Sequence, residues 1–166
     1  MISQPSDDCI SDLINVMAGM EEMGLIKSIF YLDDEVGCLD IFESCFGDEY
    51  HVRTASTLAE ARRMLLERPA DIIISDQLMP EISGREFLSE VARAYPSSYR
   101  VMLTGSMTVG EFIPEISSGI VHLFVAKPWE ARHMRQVLER ASLHDALHRI
   151  EDQGNDNIAR SPSIRA

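Results

Sequence analysis

Asp71–Leu88 reads DIIISDQLMPEISGREFL. Three consecutive isoleucines in DIIIS, Asp71–Ser75, argue for a central strand covered on both faces, since a strand with one wet face alternates apolar and polar residues. The run stops at Asp76, a loop reaches Pro80, and a helical pattern follows over Gly84–Ala94. A buried strand thus delivers a carboxylate at its carboxyl end and turns directly into a helix.

The same event recurs along the chain. KSIFYL at Lys27–Leu32 is a short apolar, β-branched and aromatic run that breaks at Asp33 and Asp34. Arg100–Leu103 (RVML) ends at Thr104-Gly105, and Val121–Ala126 (VHLFVA) ends at Lys127-Pro128. Tyr50–Thr54 (YHVRT) is a more polar strand suited to a sheet edge. Helical patterns of crossover length lie between, at Glu35–Phe46, Thr57–Arg68, Gly84–Ala94 and near Thr108–Ser118. Thr57 and Glu60 have the spacing of a capping box, with Leu58, Ala61, Leu65 and Leu66 as the apolar stripe. Pro114 requires the fourth helix to begin near Ile113 or to be kinked. Five strands alternating with helices predict an α/β fold, an open doubly wound parallel sheet with right-handed crossovers.

In such folds functional groups collect outside the carboxyl ends of the strands. That edge receives Asp33, Asp34, Asp76, Thr104 and Lys127. Acids commonly cap helices and lysines commonly solvate edges, so any one of these residues alone has an ordinary structural explanation. Their joint placement says more. Adjacent carboxylates with a third across the same edge repel one another unless a cation neutralises them. An oxygen-only set suits Mg²⁺, which takes one or two carboxylates and leaves positions for a phosphate. An aspartate can itself accept a phosphoryl group, given a metal to screen charge and a cation and hydroxyl to hold the phosphoryl oxygens. Mg²⁺, Lys127 and Thr104 answer to those needs.

Composition bounds the alternatives. The 166 residues suit one domain with extensions, and 45% hydrophobic with 25% charged residues is a globular composition. A formal charge of −12 repels phosphate backbones and anionic headgroups, so direct nucleic-acid binding and membrane association are not expected. No apolar run approaches the roughly 20 residues of a membrane span, and MISQPSDD lacks the basic start of a signal peptide. The expected location is the cytoplasm. Cys9, Cys38 and Cys45 match no metal or redox spacing and read as reduced thiols, the latter two on one buried helix face. Residues 7–23 place Ile10, Leu13, Ile14, Met17 and Met20 at helical spacing. The last helix starts near Trp129, meets no breaker until Gly154, and carries Val137, Ala141, Leu147 and Ile150 along one face. The division expected is an N-terminal helical extension over 1–25, a core domain over 26–142, and an elongated helix with a polar tail over 143–166.

YLDDE, IIISDQLMPEISGREFL, LTGS and FVAKPW occur in order at characteristic separations. Over roughly residues 26–142 the chain resembles the receiver domains of response regulators, the phosphorylation switches of two-component systems. The resemblance implies a flavodoxin-like strand order 2-1-3-4-5, an order for which a receiver is a standard example. It implies that Asp76 accepts a phosphoryl group from a histidine kinase or phosphotransfer protein. It also implies that Asp33, Asp34, Asp76 and the backbone carbonyl of Leu78 serve Mg²⁺. Thr104 becomes the switch hydroxyl, Lys127 the phosphoryl-binding cation, Phe124 the switch aromatic, and Lys127-Pro128 a cis peptide. Gly84 matches the glycine opening the third helix, and the apolar Leu78 beside the acceptor implies a longer-lived phosphoryl state. LTGS with KPW looks like receivers fused to cyclic-di-GMP phosphodiesterases or sensory modules, so an output domain or partner protein is expected. The apolar stripes at both ends suggest a homodimer, against simple packing on their own domain.

Two other kinds of protein carry an aspartate at such an edge. A dehalogenase-like phosphatase needs a second aspartate two residues after its nucleophile, and that position is Leu78. A receiver-like interaction module working without phosphorylation usually lacks an acidic residue, the acceptor or the lysine, and all are retained. A dinucleotide enzyme lacks its GxGxxG.

Overall fold

The structure is a computed structural model and describes residues 27–105 and 113–144. Five parallel strands form one sheet in the order β2-β1-β3-β4-β5, as the resemblance implies. They are β1 (Ser28–Leu32), β2 (His51–Ala55), β3 (Ile72–Asp76), β4 (Tyr99–Thr104) and β5 (Leu123–Ala126). The connecting helices are α1 (Val36–Phe46), α2 (Leu58–Glu67), α3 (Gly84–Ala94) and α4 (Ile113–Ser117), and α5 is described over residues 131–144. The expected N-terminal helix at 7–23, Cys9, and the chain past 144 lie outside the described residues, and α4 is described only from Ile113, with Pro114 in its first turn.

Every residue of β3 is buried, as the isoleucine run requires of a central strand. The more polar His51–Ala55 takes an edge, where one flank meets water. Alternate side chains of β1 and β3 feed two cores. Ile29, Tyr31, Ile72 and Ile74 meet Phe42, Phe46, Met134 and Leu138 of α1 and α5, whereas Phe30, Leu32 and Ile73 meet Leu58, Leu65, Phe87 and Leu88 of α2 and α3. At the amino end, Asp71 ties β1 to β3, its Oδ2 accepting from Ser28 N–H and Oγ–H at 2.8 Å each.

Three local expectations need correction. Thr57 accepts from Glu60 N–H at 3.3 Å, but the reciprocal half of a box is formed instead at Ser83 and Glu86, at the start of α3. Leu66 is 81% exposed, because eight residues beyond Leu58 a helix has turned about 80° past that face. Cys38 and Cys45 are half-buried free thiols rather than buried ones.

Candidate functional site

Register places the chemistry. Within β3 and β4, Asp76 pairs with Leu103, and one step further on Thr104 pairs with Ala126 of β5, so Lys127 leaves the sheet beside them. Asp33 leaves β1 one residue after Leu32, which pairs with Ser75. Parallel strands of matched length thus bring all four residues to one carboxyl edge. Lys127 is tied in twice, since its N–H donates to Thr104 O at 2.8 Å.

Lys127 Nζ sits 2.7 Å from Asp33 Oδ2 and 2.7 Å from Asp76 Oδ1. Burial alone pulls a lysine pKa down, but the hydrogen bonds and charges of Asp33 and Asp76 outweigh it and hold Lys127 above its ordinary value. Asp33 is fully buried, its Oδ1 accepting from Glu35 N–H at 2.9 Å and its Oδ2 accepting also from the Tyr31 hydroxyl. Burial, then the Asp33 hydrogen bond, push the Tyr31 phenol far above its usual range, so it stays a donor. Asp76 is 8% exposed, and its Oδ2 accepts from Leu78 N–H at 2.9 Å. Asp34 is exposed, yet it, Asp33 and Asp76 each offer a carboxylate oxygen within 4.8 Å of the others.

The loop after Asp76 folds tightly because α3 begins against it. A Cβ on Gly84 would lie 2.0 Å from Asp76 O, a separation no side chain tolerates, so only glycine fits. Gln77 is pinned on both backbone groups, its N–H donating to Leu103 O and its carbonyl accepting from Gly84 N–H, each at 2.9 Å. The buried Thr104 hydroxyl donates to Gln77 Oε1. Leu78 turns its side chain outward at 76% exposure, and Phe124 is half-buried against Met102, Val121 and their neighbours. The Lys127-Pro128 peptide is cis.

The sequence reading therefore named Asp33, Asp34, Asp76, Thr104 and Lys127, and the fold gathers them. It missed Tyr31 and Gln77. Tyr31 was findable, since residues 31 and 33 project to the same side of a strand. Gln77 carried no signal beyond adjacency to Asp76.

Residues 29–139 match the response regulator receiver domain. The hydrogenase transcriptional regulatory protein HoxA of Cupriavidus necator is 30% identical over 128 residues, covering 75% of this chain and 27% of that protein. The transcriptional regulatory protein GlrR of Escherichia coli K12 is 26% identical, covering 81% of this chain and 30% of that one. The chain thus spans under a third of the length of these relatives. A response regulator receiver domain protein from Clostridium thermocellum superposes with a TM-score of 0.67 at 26% identity, covering 74% of this chain and 98% of that one. The strand order and a family match across two thirds of the length make this chain a member of the response regulator receiver domain family, the phosphoacceptor switches of two-component signalling.

Proposed function

We propose that Asp76 accepts a phosphoryl group from a histidine kinase or phosphotransfer protein, and that Thr104, Lys127 and Phe124 relay its arrival to an output domain or partner protein. The observation that carries this reading is the bridge of Lys127 Nζ between Asp33 Oδ2 and Asp76 Oδ1 at 2.7 Å each. An ammonium shared between two carboxylates is a replaceable partner. With Asp33 and Asp76 engaged by a divalent ion, the Lys127 ammonium would be free to pair with phosphoryl oxygens.

Mg²⁺ fits the donor set, because Asp33, Asp34 and Asp76 converge within 4.8 Å with oxygen ligands. These carboxylates and the carbonyl of Leu78 would hold it, and when bound it screens the charge of the incoming group. The chain's own groups do the rest. Leu78 N–H fixes the Asp76 carboxylate in place, and Glu35 N–H with the Tyr31 hydroxyl fixes Asp33. Attack by an Asp76 carboxylate oxygen on the donor phosphorus forms the acyl phosphate as the donor's own bond to phosphorus breaks and its imidazole, or acetate from acetyl phosphate, leaves. Water attacking that phosphorus later releases inorganic phosphate and returns the carboxylate, so the domain catalyses its own modification and slow hydrolysis without turnover of a separate substrate.

Among the described residues no helix is long and apolar enough to cross a membrane, which accords with the cytoplasmic placement we propose. The named relatives are transcriptional regulators, which supports a receiver working for an output module. Direct contact with nucleic acid is left to that module by the formal charge of −12 on this chain. We also propose a homodimer formed through the apolar stripes at the two ends, tested by sedimentation of the intact chain against one lacking residues 1–24 and 144–166.

The central test is incorporation of phosphate from acetyl phosphate with Mg²⁺. The wild type should be labelled and Asp76→Asn should not, whereas equal labelling of the two overturns the assignment.

A further inference from the structure

Beyond the roles above, and resting on Asp76 as the phosphoacceptor, we propose that Gln77 is a latch that holds the Thr104 hydroxyl away from the phosphoryl site and so sets how strongly the domain resists activation. The Thr104 hydroxyl carries a single proton, and that proton is directed to Gln77 Oε1. A hydroxyl proton serves one acceptor well at a time. For Thr104 to donate to a phosphoryl oxygen on Asp76, the bond to Gln77 must break, so the two arrangements exclude each other. The group acting on Thr104 is therefore a neighbour of the acceptor itself, one residue along the chain.

Gln77 is suited to the task by what holds it. Its N–H is bonded to Leu103 O and its carbonyl to Gly84 N–H, so the backbone from which the amide extends is anchored to the end of β4 and to the start of α3. Gly84 in turn lies so close to Asp76 O that it has no room for a side chain, which seats the start of α3 directly against the loop. An anchored backbone lets the side-chain amide move alone. Thr104 O accepts from Lys127 N–H at 2.8 Å, so release of the Thr104 side chain occurs on a residue already joined to the site's cation. Gln77 touches neither metal nor phosphoryl group in this scheme. It is a positioning residue acting through Thr104.

The size of the effect follows from a neutral hydrogen bond in a buried place. Its net worth corresponds to roughly a three- to tenfold bias between the two arrangements. Removing the acceptor should therefore tighten binding of a phosphoryl analogue by about three- to tenfold, because the unlatched state is no longer disfavoured.

The experiment is a titration of the full chain with beryllium fluoride in saturating Mg²⁺, read by the fluorescence of Trp129, the single tryptophan, which lines the same surface cleft as Lys127. Gln77→Leu is expected to bind the analogue about three- to tenfold more tightly than the wild type, and Gln77→Ala, as a second variant with less bulk, is expected to move in the same direction. In a Thr104→Val background the gain should vanish, since no hydroxyl is left to latch. The Mg²⁺ affinity measured without beryllium fluoride should be the same with and without Gln77. Unchanged or weaker analogue binding in both Gln77 variants, the same gain in the Thr104→Val background, or a parallel shift in Mg²⁺ affinity each overturns the latch while leaving Asp76 as phosphoacceptor. A wild type that gives no response to beryllium fluoride overturns the phosphoacceptor reading itself.

Discussion

Lys127 and Arg100 are two cations held at opposite ends of one sheet, and they are satisfied by partners of different kinds. Lys127, at the carboxyl edge, is held by two carboxylates, those of Asp33 and Asp76. Arg100, the second residue of β4 and only 4% exposed, is held by backbone carbonyls. Its Nε donates to Ile120 O at 2.9 Å, its Nη1 to Ser98 O at 2.6 Å and Pro96 O at 3.2 Å, and its Nη2 to Gly119 O at 2.9 Å. Charged partners lift Lys127 above its ordinary pKa against the pull of burial, whereas burial alone lowers Arg100. Carboxylates can exchange one cation for another, so the Lys127 site can be rearranged by a metal ion or a phosphoryl group. Carbonyls of two loops fit a guanidinium fork and little else, so Arg100 staples the α3–β4 loop to the α4–β5 loop. On the proposed function, one end of the sheet changes while the other stays fixed.

The sharpest way to break this contrast is to remove each cation and ask whether Mg²⁺ restores what was lost. Arg100→Met leaves several carbonyls without their donor and should lower stability by about 3 kcal/mol or more in urea denaturation, with no recovery in Mg²⁺. Lys127→Ala should fold, and should lose a smaller amount, about 1–2 kcal/mol in chelator, because carboxylates left without their cation repel. Mg²⁺ should return most of that loss. Equal recovery of both variants would erase the distinction between the two ends. Because its pKa is raised, Lys127 keeps its charge at every pH below the ordinary lysine range, and its contribution fades only as the solution becomes more alkaline than that. Between pH 6 and 9 the chelator-treated wild type should therefore show no loss of stability traceable to this lysine. Phosphorylation-dependent shifts around Thr104 and Phe124 should disappear in Lys127→Ala, and their survival would remove its switch role.

The same contrast explains what could be read from the sequence. Strands that end in a charged residue after an unbroken apolar run, such as IIISD and FVAK, announce both the sheet and its reactive edge, because burial on two faces and exposure at the tip leave different residue types. Asp33, Asp34, Asp76, Thr104 and Lys127 were legible for that reason, and register brings them together. Arg100 was not. It stands at the head of RVML as one polar residue before an apolar run, and nothing local announces that two loops will wrap it in carbonyls. Gln77 was hidden for a related reason, since its partner lies 27 residues away and depends on how β3 and β4 align. The capping box fell at Ser83–Glu86 instead of Thr57–Glu60, a choice made by side-chain rotamers that spacing does not encode.

That capping box supplies the smallest predicted effect and separates partner type from burial. The exposed carboxylate of Glu86 accepts from Ser83 N–H at 3.0 Å and Ser83 Oγ–H at 2.8 Å, so, like Arg100, it is a charge held by neutral partners. If partner type alone set the size of the contribution, losing it would cost as much as losing Arg100. Exposure argues otherwise, because water replaces these bonds readily. Ser83→Ala should lower stability by only about 1 kcal/mol, the usual cost of an N-cap, since Glu86 N–H also loses its acceptor at 3.2 Å. The hydrogen bonds from Ser83 hold the Glu86 carboxyl below its ordinary pKa. A lowered carboxyl contributes stability above the ordinary carboxylate range and loses it as pH falls through the depressed value. The gap between wild type and Ser83→Ala should therefore be full at pH 7 and narrow in thermal melts near pH 3, without closing, because the bond from Glu86 N–H to Ser83 Oγ does not titrate. A gap that widens in acid, or one that matches the loss in Arg100→Met, would show that burial is not what separates the two charges.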